Sequence, residues 1–418
     1  MERFWKHPVG ESVSYMLRWT AFSLVTGGVG GVLGGLFARA IGAVTALRDG
    51  RTWMVFLLPL LGLAIVFLYH IANEEKNRGT NMVLASISEN ETVSAATGPL
   101  IFVSTVLSHL GGASVGREGA ALQLGGWLGC RLGEWARFDE KDRRPAILAG
   151  MSAVFAALFG TPVAAAVFCI EVVSVGVFQY AALVPCVFSA FIGSRVAALL
   201  GAEAEGWRIV SVPETSVRTL LLSVLLGILC ALLAIALVVL LHAAEKYAKK
   251  LLPNPYIRVA AAGLVIALAT LAVGTLRYTG AGTALIREAM EERVDAAAFL
   301  LKLLFTALAV AGGFRGGEIV PTLSIGAAFG ALFASLTGFP VSLGAACGMI
   351  ALFAGVTNCP FASLLIAMEM FRGEGLPYFA ITAALSFVLS GYYGLYATQR
   401  FPYSKLKFAA EPKRDNRS

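Results

Sequence analysis

Two carboxylates stand in this chain where an apolar sequence has least reason to keep them. Glu118 lies in "VGREGAALQLGG" (115–126), between Gly116 and Gly119 and directly ahead of an apolar run. Glu318 lies in "GGFRGGEIVPTL" (312–323), again behind glycines and ahead of an apolar run. The start of a helix offers unpaired N–H groups and a partial positive charge. Glycines let a ligand come close to that backbone. Together they form an anion site that carries no full charge. A fixed cation inside a bilayer is costly and holds an anion too tightly to release it. A carboxylate in the first turn competes for the site when ionised and withdraws when protonated, which links an anion to a proton. Had the glycines served only close helix packing, two carboxylates at matching helix mouths would have no purpose.

Other chemistries find no support. The sequence has no HExxH, GxSxG or GxxxxGK[ST]. The four histidines (7, 70, 109, 242) lack metal-ligand spacing. The six cysteines (130, 169, 186, 230, 347, 359) form no CxxC and read as small apolar fillers. No catalytic residue, metal or cofactor is expected, and the chain is not expected to be an enzyme. His109, just before the first glycine loop, reads as a packed or capping residue rather than a proton relay.

The elements that must position these loops are membrane-spanning. The chain is 57% hydrophobic and 14% charged, against about 25% charged in soluble domains. Spans of the ~20 residues a crossing needs are predicted at about 20–45, 52–72, 146–170, 180–200, 217–241 and 257–276. Shorter apolar pieces at 97–110, 120–130, 298–311, 319–337, 341–355 and 376–397 read as half-helices or tilted helices. The net charge is +7, much of it at the two ends. It places both termini in the cytoplasm with an even number of crossings, and it suits lipid headgroups rather than nucleic acid. No cleavable signal peptide is evident.

The chain also repeats itself. "AGMSAVFAALFGTPVAAAVFCIEVV" (149–173) lies over "CGMIALFAGVTNCPFASLLIAMEMF" (347–371) at an offset of 198, matching Gly150, Met151, Pro162 and Glu171 with Gly348, Met349, Pro360 and Glu369. "GREGAALQLGGWLG" lies over "GEIVPTLSIGAAFG" at an offset of 201, matching Gly116, Gly125 and Gly129 with Gly317, Gly326 and Gly330. In that register Glu318 falls opposite Arg117, one position before the counterpart of Glu118. Such repeats point to a transporter-like fold with broken helices aimed at a central site, in either a parallel or an inverted arrangement. Glu171 and Glu369 read as structural hydrogen-bonding groups at helix ends near the water interface. Arg117 and Arg315 read equally well as vestibular charges that gather anions and as partners of carbonyls and acids.

Four motifs in order resemble those of the CLC anion channel and transporter family: "GTNMV" (79–83), "GREGA" (116–120), "GEIVP" (317–321) and "GLYATQ" (394–399). The departures resemble its fluoride/proton antiporter branch. Ala120 replaces a proline, Asn81 follows Thr80 in the first motif, and Val172 stands where chloride/proton exchangers carry an inner glutamate. The resemblance covers about 20–400 and implies an all-α polytopic membrane protein, an inverted-repeat fold with broken helices and a homodimer. Its divisions are a cytoplasmic segment 1–19, a first membrane repeat 20–200, a connecting loop 201–216 with little to bury, a second repeat 217–402 and a basic cytoplasmic tail 403–418.

The implied function is export of cytoplasmic fluoride across the bacterial inner membrane in exchange for protons. A chloride/proton exchanger or chloride channel of the same family is the alternative. By resemblance Glu118 is the proton-coupled gate. The backbone of Gly116, Arg117, Gly119 and Ala120, and that of Glu318, Ile319 and Val320, faces the anion. Thr80, Asn81, Met82 and Tyr396 line its path, with Thr80 and Tyr396 as hydroxyl donors and Asn81 as a donor or brace. Glu318 is expected to replace the missing inner glutamate as a second proton-linked group. Fluoride is small, basic and strongly hydrated, so short hydrogen bonds from hydroxyls and protonated carboxyls favour it over chloride.

Overall fold

The computed structural model describes residues 8–89, 91–202 and 206–406 of the chain. Their α-helices fall into two sets of eight. The first set is α1 (Pro8–Arg48), α2 (Leu58–Ile71), α3 (Thr80–Ser88), α4 (Thr97–Gly111), α5 (Glu118–Trp135), α6 (Glu140–Phe159), α7 (Pro162–Glu171) and α8 (Leu183–Leu199). The second is α9 (Val217–Leu251), α10 (Pro255–Val273), α11 (Thr283–Met290), α12 (Ala298–Gly312), α13 (Ile319–Thr337), α14 (Val341–Thr357), α15 (Pro360–Met370) and α16 (Leu376–Leu389). Long and short helices alternate in the same order in both. α5 packs on α6 as α13 packs on α14, and α1 on α8 as α9 on α16. Among the described residues β-structure is limited to isolated bridges.

The repeated glycines explain the tightest of these contacts. A Cβ on Gly125 would lie 2.4 Å from the Gly150 carbonyl, and one on Gly326 would lie 2.4 Å from that of Gly348. The α5–α6 and α13–α14 pairs therefore touch backbone to backbone. Small residues permit this where lipid supplies no hydrophobic drive between helices.

Among the described residues, six helical stretches are long and apolar enough to cross a membrane: Gly10–Arg48, Thr52–Ile71, Tyr180–Leu199, Val217–Leu251, Pro255–Val273 and Ile319–Thr337. The span expected at 146–170 is broken instead. Gly160 adopts φ +72° and Pro162 starts α7 at its first turn, so the chain reverses there. Asn358 (φ +58°) and Pro360 repeat the break between α14 and α15. Proline lacks the N–H that would continue the earlier helix. α1 begins at Pro8 and buries Trp19, so a boundary at 19/20 moves to the start of that helix. The connecting segment does bury side chains: Ile209 is 3% exposed, and the Trp207 N–H donates to the Met370 carbonyl. Glu203 and Glu205 of that segment, residues 1–7 and the basic tail from 407 lie outside the described residues. At the tail's start Lys405 is tied to Asn358 and, at 2.7 Å, to the Phe387 carbonyl, so a boundary at 403 falls within packed chain.

The two sets meet through α7 and α15. The Glu171 carboxylate, at the end of α7, accepts from the N–H groups of Phe361 (3.2 Å) and Ala362 (2.8 Å) at the start of α15. The Glu369 carboxylate, at the end of α15, accepts from Val163 (3.1 Å) and Ala164 (2.8 Å) at the start of α7. Each helix end caps the other's beginning, so the two run antiparallel and exchange equivalent residues. An approximate two-fold axis does this, and it inverts one repeat relative to the other. Glu171 is buried, at 4% exposed, rather than placed at a water interface. Each carboxylate satisfies two N–H groups that have no intrahelical partner. Glu171→Ala should destabilise the fold by roughly 1.5–3 kcal/mol, the scale of hydrogen bonds to a charged group. Thermal unfolding in detergent reads this as a fall of several degrees, with a similar fall for Glu369→Ala; an unchanged midpoint in both would remove the capping account.

All six cysteines are buried and free, as expected of apolar fillers.

Candidate functional site

Glu118 is the first residue of α5, and its side chain is 0% exposed. The carboxylate turns back over its own helix start. Oε2 accepts from the Arg117 N–H (3.0 Å) and Oε1 from Arg117 Nε (3.2 Å). Arg117 also donates from Nη2 to the Leu158 carbonyl (3.5 Å). The first intrahelical bond runs from the Ala121 N–H to the Arg117 carbonyl. The N–H groups of Glu118, Gly119 and Ala120 therefore precede the ladder and carry the positive end of the helix. The carboxylate thus sits at the N-terminus of its own helix, where an anion would.

Gly116 is placed differently from the sequence reading. Its N–H donates to the Gly317 carbonyl (2.5 Å) and its carbonyl accepts from the Gly317 N–H (2.8 Å). This antiparallel bridge joins the two glycine loops, and it commits the Gly116 N–H to protein rather than to an anion. A Cβ on Gly317 would lie 2.3 Å from the Gly119 nitrogen, so only glycine fits. Beyond the bridge α13 begins at Ile319 with Glu318 as its cap residue, and Thr322 is the first to donate back, to the Glu318 carbonyl. The N–H groups of Ile319 and Val320 are left ahead of that ladder, and Pro321 has none to offer.

Two cavities reach residues next to this bridge. One, of about 530 Å³, is lined by Thr80, Asn81, Gln123, Arg315, Glu318 and Tyr396, among others. The other, of about 570 Å³, is lined by Arg48, His109, Arg117, Arg277 and Arg287, among others. Gly316 and Glu318, the neighbours of Gly317, line the first cavity, and Arg117, the neighbour of Gly116, lines the second. The two arginines weighed in the sequence thus line different cavities, Arg315 the first and Arg117 the second. Arg315 donates to the Asn77 carbonyl (3.3 Å) and stacks 4.2 Å from the centre of the Tyr69 ring.

The first motif is built as a brace. The Thr80 hydroxyl donates to the Gly119 carbonyl (3.2 Å), so in this conformation its proton is directed to the loop rather than to the cavity. Asn81 Oδ1 accepts from the Thr398 N–H (3.3 Å) and hydroxyl (3.2 Å), fastening α3 to the segment that carries Tyr396. Met82 packs partly buried against the main apolar core. Tyr396 is 3% exposed, lines the first cavity and has a phenol oxygen with no hydrogen-bond partner among the described residues. Glu318 lines the same cavity, half-buried.

Two residues escaped the sequence reading. Gln123 Nε2 donates to both Thr80 Oγ1 and the Gly119 carbonyl (each 3.4 Å). It is the one polar side chain between Glu118 and Cys130, and that isolation was its signal. Lys302 is completely buried on α12, and its ammonium donates to Ser114 Oγ (2.8 Å) and to the carbonyls of Tyr278 (3.2 Å) and Gly280 (2.6 Å). It pins the loop that leads to Gly116. A lone lysine in "AFLLKLLFTALAVAG" was the sign of it. Lys302→Met should orphan these oxygens at about 1–3 kcal/mol each. We expect a lower unfolding temperature together with slower transport; wild-type values for both would show the pin to be dispensable.

The sequence profile described as "Voltage gated chloride channel" matches residues 60–391. The chain belongs to this CLC family. Over 412 residues it is 33% identical to a "Chloride/fluoride channel protein" of Pseudomonas syringae pv. tomato, covering 97% of the chain and 91% of that CLC relative. It is 28% identical over 367 residues to the "Voltage-gated ClC-type chloride channel ClcB" of Escherichia coli O9:H4, covering 83% of the chain and 86% of that protein. The crystal structure of a CLC-type fluoride/proton antiporter superposes with a TM-score of 0.89 at 30% identity, over 95% of this chain and 100% of that one. A slow cyanobacterial Cl⁻/H⁺ antiporter superposes at 0.78 and 20% identity, over 89% and 94%, and shares the CLC fold. The chain is thus an all-helical membrane protein of a transporter and channel family.

Proposed function

We propose that this protein exchanges fluoride for protons and exports fluoride from the cytoplasm down the inward proton gradient. The observation that carries the reading is the seat of Glu118. The buried carboxylate accepts from the Arg117 N–H at the start of α5, the helix N-terminus that suits an anion. When ionised it competes for that site; protonation removes its charge, so an anion can take its place. The N–H groups of Gly119 and Ala120, and those of Ile319 and Val320 from the opposite loop, would then face it.

The Tyr396 phenol offers a donor on the Glu318 side. Asn81 and Thr80 hold the loops to which these donors belong. Glu318 takes the part of a second proton-linked group; its place in a cavity with Tyr396, apart from the cavity that Arg117 lines, supports that part. If Glu318→Gln exchanges protons at the wild-type rate, the part is withdrawn. The likeness to a fluoride/proton antiporter and to a chloride/fluoride channel protein supports fluoride over chloride. A homodimer in the bacterial inner membrane, with both termini cytoplasmic, completes the reading.

The test is selectivity. Liposomes carrying the purified protein are loaded with equal fluoride and chloride, and efflux of each is followed with ion-selective electrodes. Fluoride leaving at least about tenfold faster, a difference of about 1.4 kcal/mol, is expected. Equal rates, or faster chloride, would move the protein to the chloride exchangers or channels of the family.

A further inference from the structure

The second cavity holds a group the transport reading does not use. His109 ends α4 and is 2% exposed. Its Nδ1 lies 2.9 Å from the Thr105 carbonyl oxygen. A carbonyl only accepts, so Nδ1 carries the hydrogen, and in the neutral ring Nε2 carries a lone pair. Nε2 is buried without a hydrogen-bond partner among the described residues, and His109 lines the cavity of about 570 Å³.

The groups around this lone pair are mostly cationic. Arg48, at the end of α1, is 6% exposed and donates from Nη1 to the His109 carbonyl (2.8 Å), while its Nε has no partner among the described residues. Arg117, at the cap of α5, lines the same cavity. Across the cavity stand Arg277, whose charge is met by Glu288 and Asp295, and the exposed Arg287. Asp49 lies exposed at the rim, and the carboxylate of Glu118 is turned to Arg117.

We infer that Arg48 and His109 form a vestibular site that takes a small monovalent anion together with a proton. A bare proton on Nε2 would meet the charges of Arg48 and Arg117, which line the same cavity. An anion held by Arg48 cancels that repulsion and accepts a hydrogen bond from the new Nε2–H. By linkage, anion and proton each raise the other's affinity by the same factor. An anion leaving toward this cavity thereby draws a proton from the same water, one step from Glu118. This goes beyond the proposed exchange and rests on it only for the anion's presence.

The test is a binding measurement, so its failure is distinct from a failure of transport. A protein whose sole histidine is His109, made by replacing His7, His70 and His242 with asparagine, is labelled with ¹⁵N-imidazole and titrated by NMR in detergent. Sodium gluconate and about 0.1 M fluoride are compared at equal ionic strength. The midpoint is expected to rise by about half a pH unit or more with fluoride, and the rise should vanish in Arg48→Gln. A midpoint indifferent to fluoride, or a rise that survives Arg48→Gln, overturns the site. If the triple replacement does not fold, the wild-type protein gives the same reading, with the His109 signal assigned by its absence from His109→Gln.

Discussion

Glu118→Gln is expected to move anions without protons: the proton flux that accompanies anion efflux falls by roughly a hundredfold or more, in line with the loss of a positioned acid–base group. Glutamine matches the size of glutamate and cannot ionise. It therefore resembles the protonated gate permanently and holds the helix N-terminus only by a neutral amide. In the wild type, anion flux should rise as the pH falls, because protonation removes the carboxylate's charge from the positive start of α5, where it now accepts from the Arg117 N–H. The variant should lose that pH dependence. A glutamine variant with coupled proton flux within twofold of wild type would show that the proton travels by another group.

Gly317→Ala carries the second large effect. Its added methyl would meet the Gly119 nitrogen at 2.3 Å and the Gly119 Cα at 2.7 Å, and both are backbone atoms of the opposite loop. Neither can yield as a flexible side chain would, so the two loops must part and the Gly116–Gly317 bridge must open. Overpacking of this kind costs about 1–3 kcal/mol, and here it falls on the bridge itself. The expected outcome is a clear drop in unfolding temperature with loss of proton-coupled transport. Gly28→Ala is the control, since nothing lies within 4 Å of that position and it sits inside α1. Alanine is the better helix former by about 1 kcal/mol, so that variant should be at least as stable as wild type. If Gly317→Ala behaved like Gly28→Ala, the two loops would not be in the contact described.

The parts of this molecule that depend on local pattern could be read from the sequence. The apolar runs gave the spans, and the matches from Gly125 to Gly326 and from Pro162 to Pro360 gave the repeat. The family resemblance pointed to Glu118 and Tyr396; Glu118 is buried at the start of α5, and Tyr396 lines a cavity with Glu318. What escaped depends on contacts between distant residues. A run apolar on both sides of Gly160-Thr161-Pro162 hid the break, because in lipid both halves of a broken helix remain apolar. The exchange of caps between Glu171 and Glu369 needs α7 beside an inverted α15, which no single-chain periodicity contains. The commitment of the Gly116 N–H to Gly317 arises 201 residues away. Lys302, Gln123 and the open nitrogen of His109 were visible only as isolated polar letters; their meaning came from the loops they touch.

The central claim is that one buried carboxylate trades an anion for a proton, and one recording tests it most directly. Liposomes containing the protein are loaded with fluoride and diluted into weakly buffered, fluoride-free medium while external fluoride and external pH are read together. The account predicts that external pH rises as fluoride appears, even when the lumen is already the more acidic side, because outgoing fluoride drives protons inward and uphill. Fluoride that appears with no change in external pH would contradict it and make the protein a passive channel.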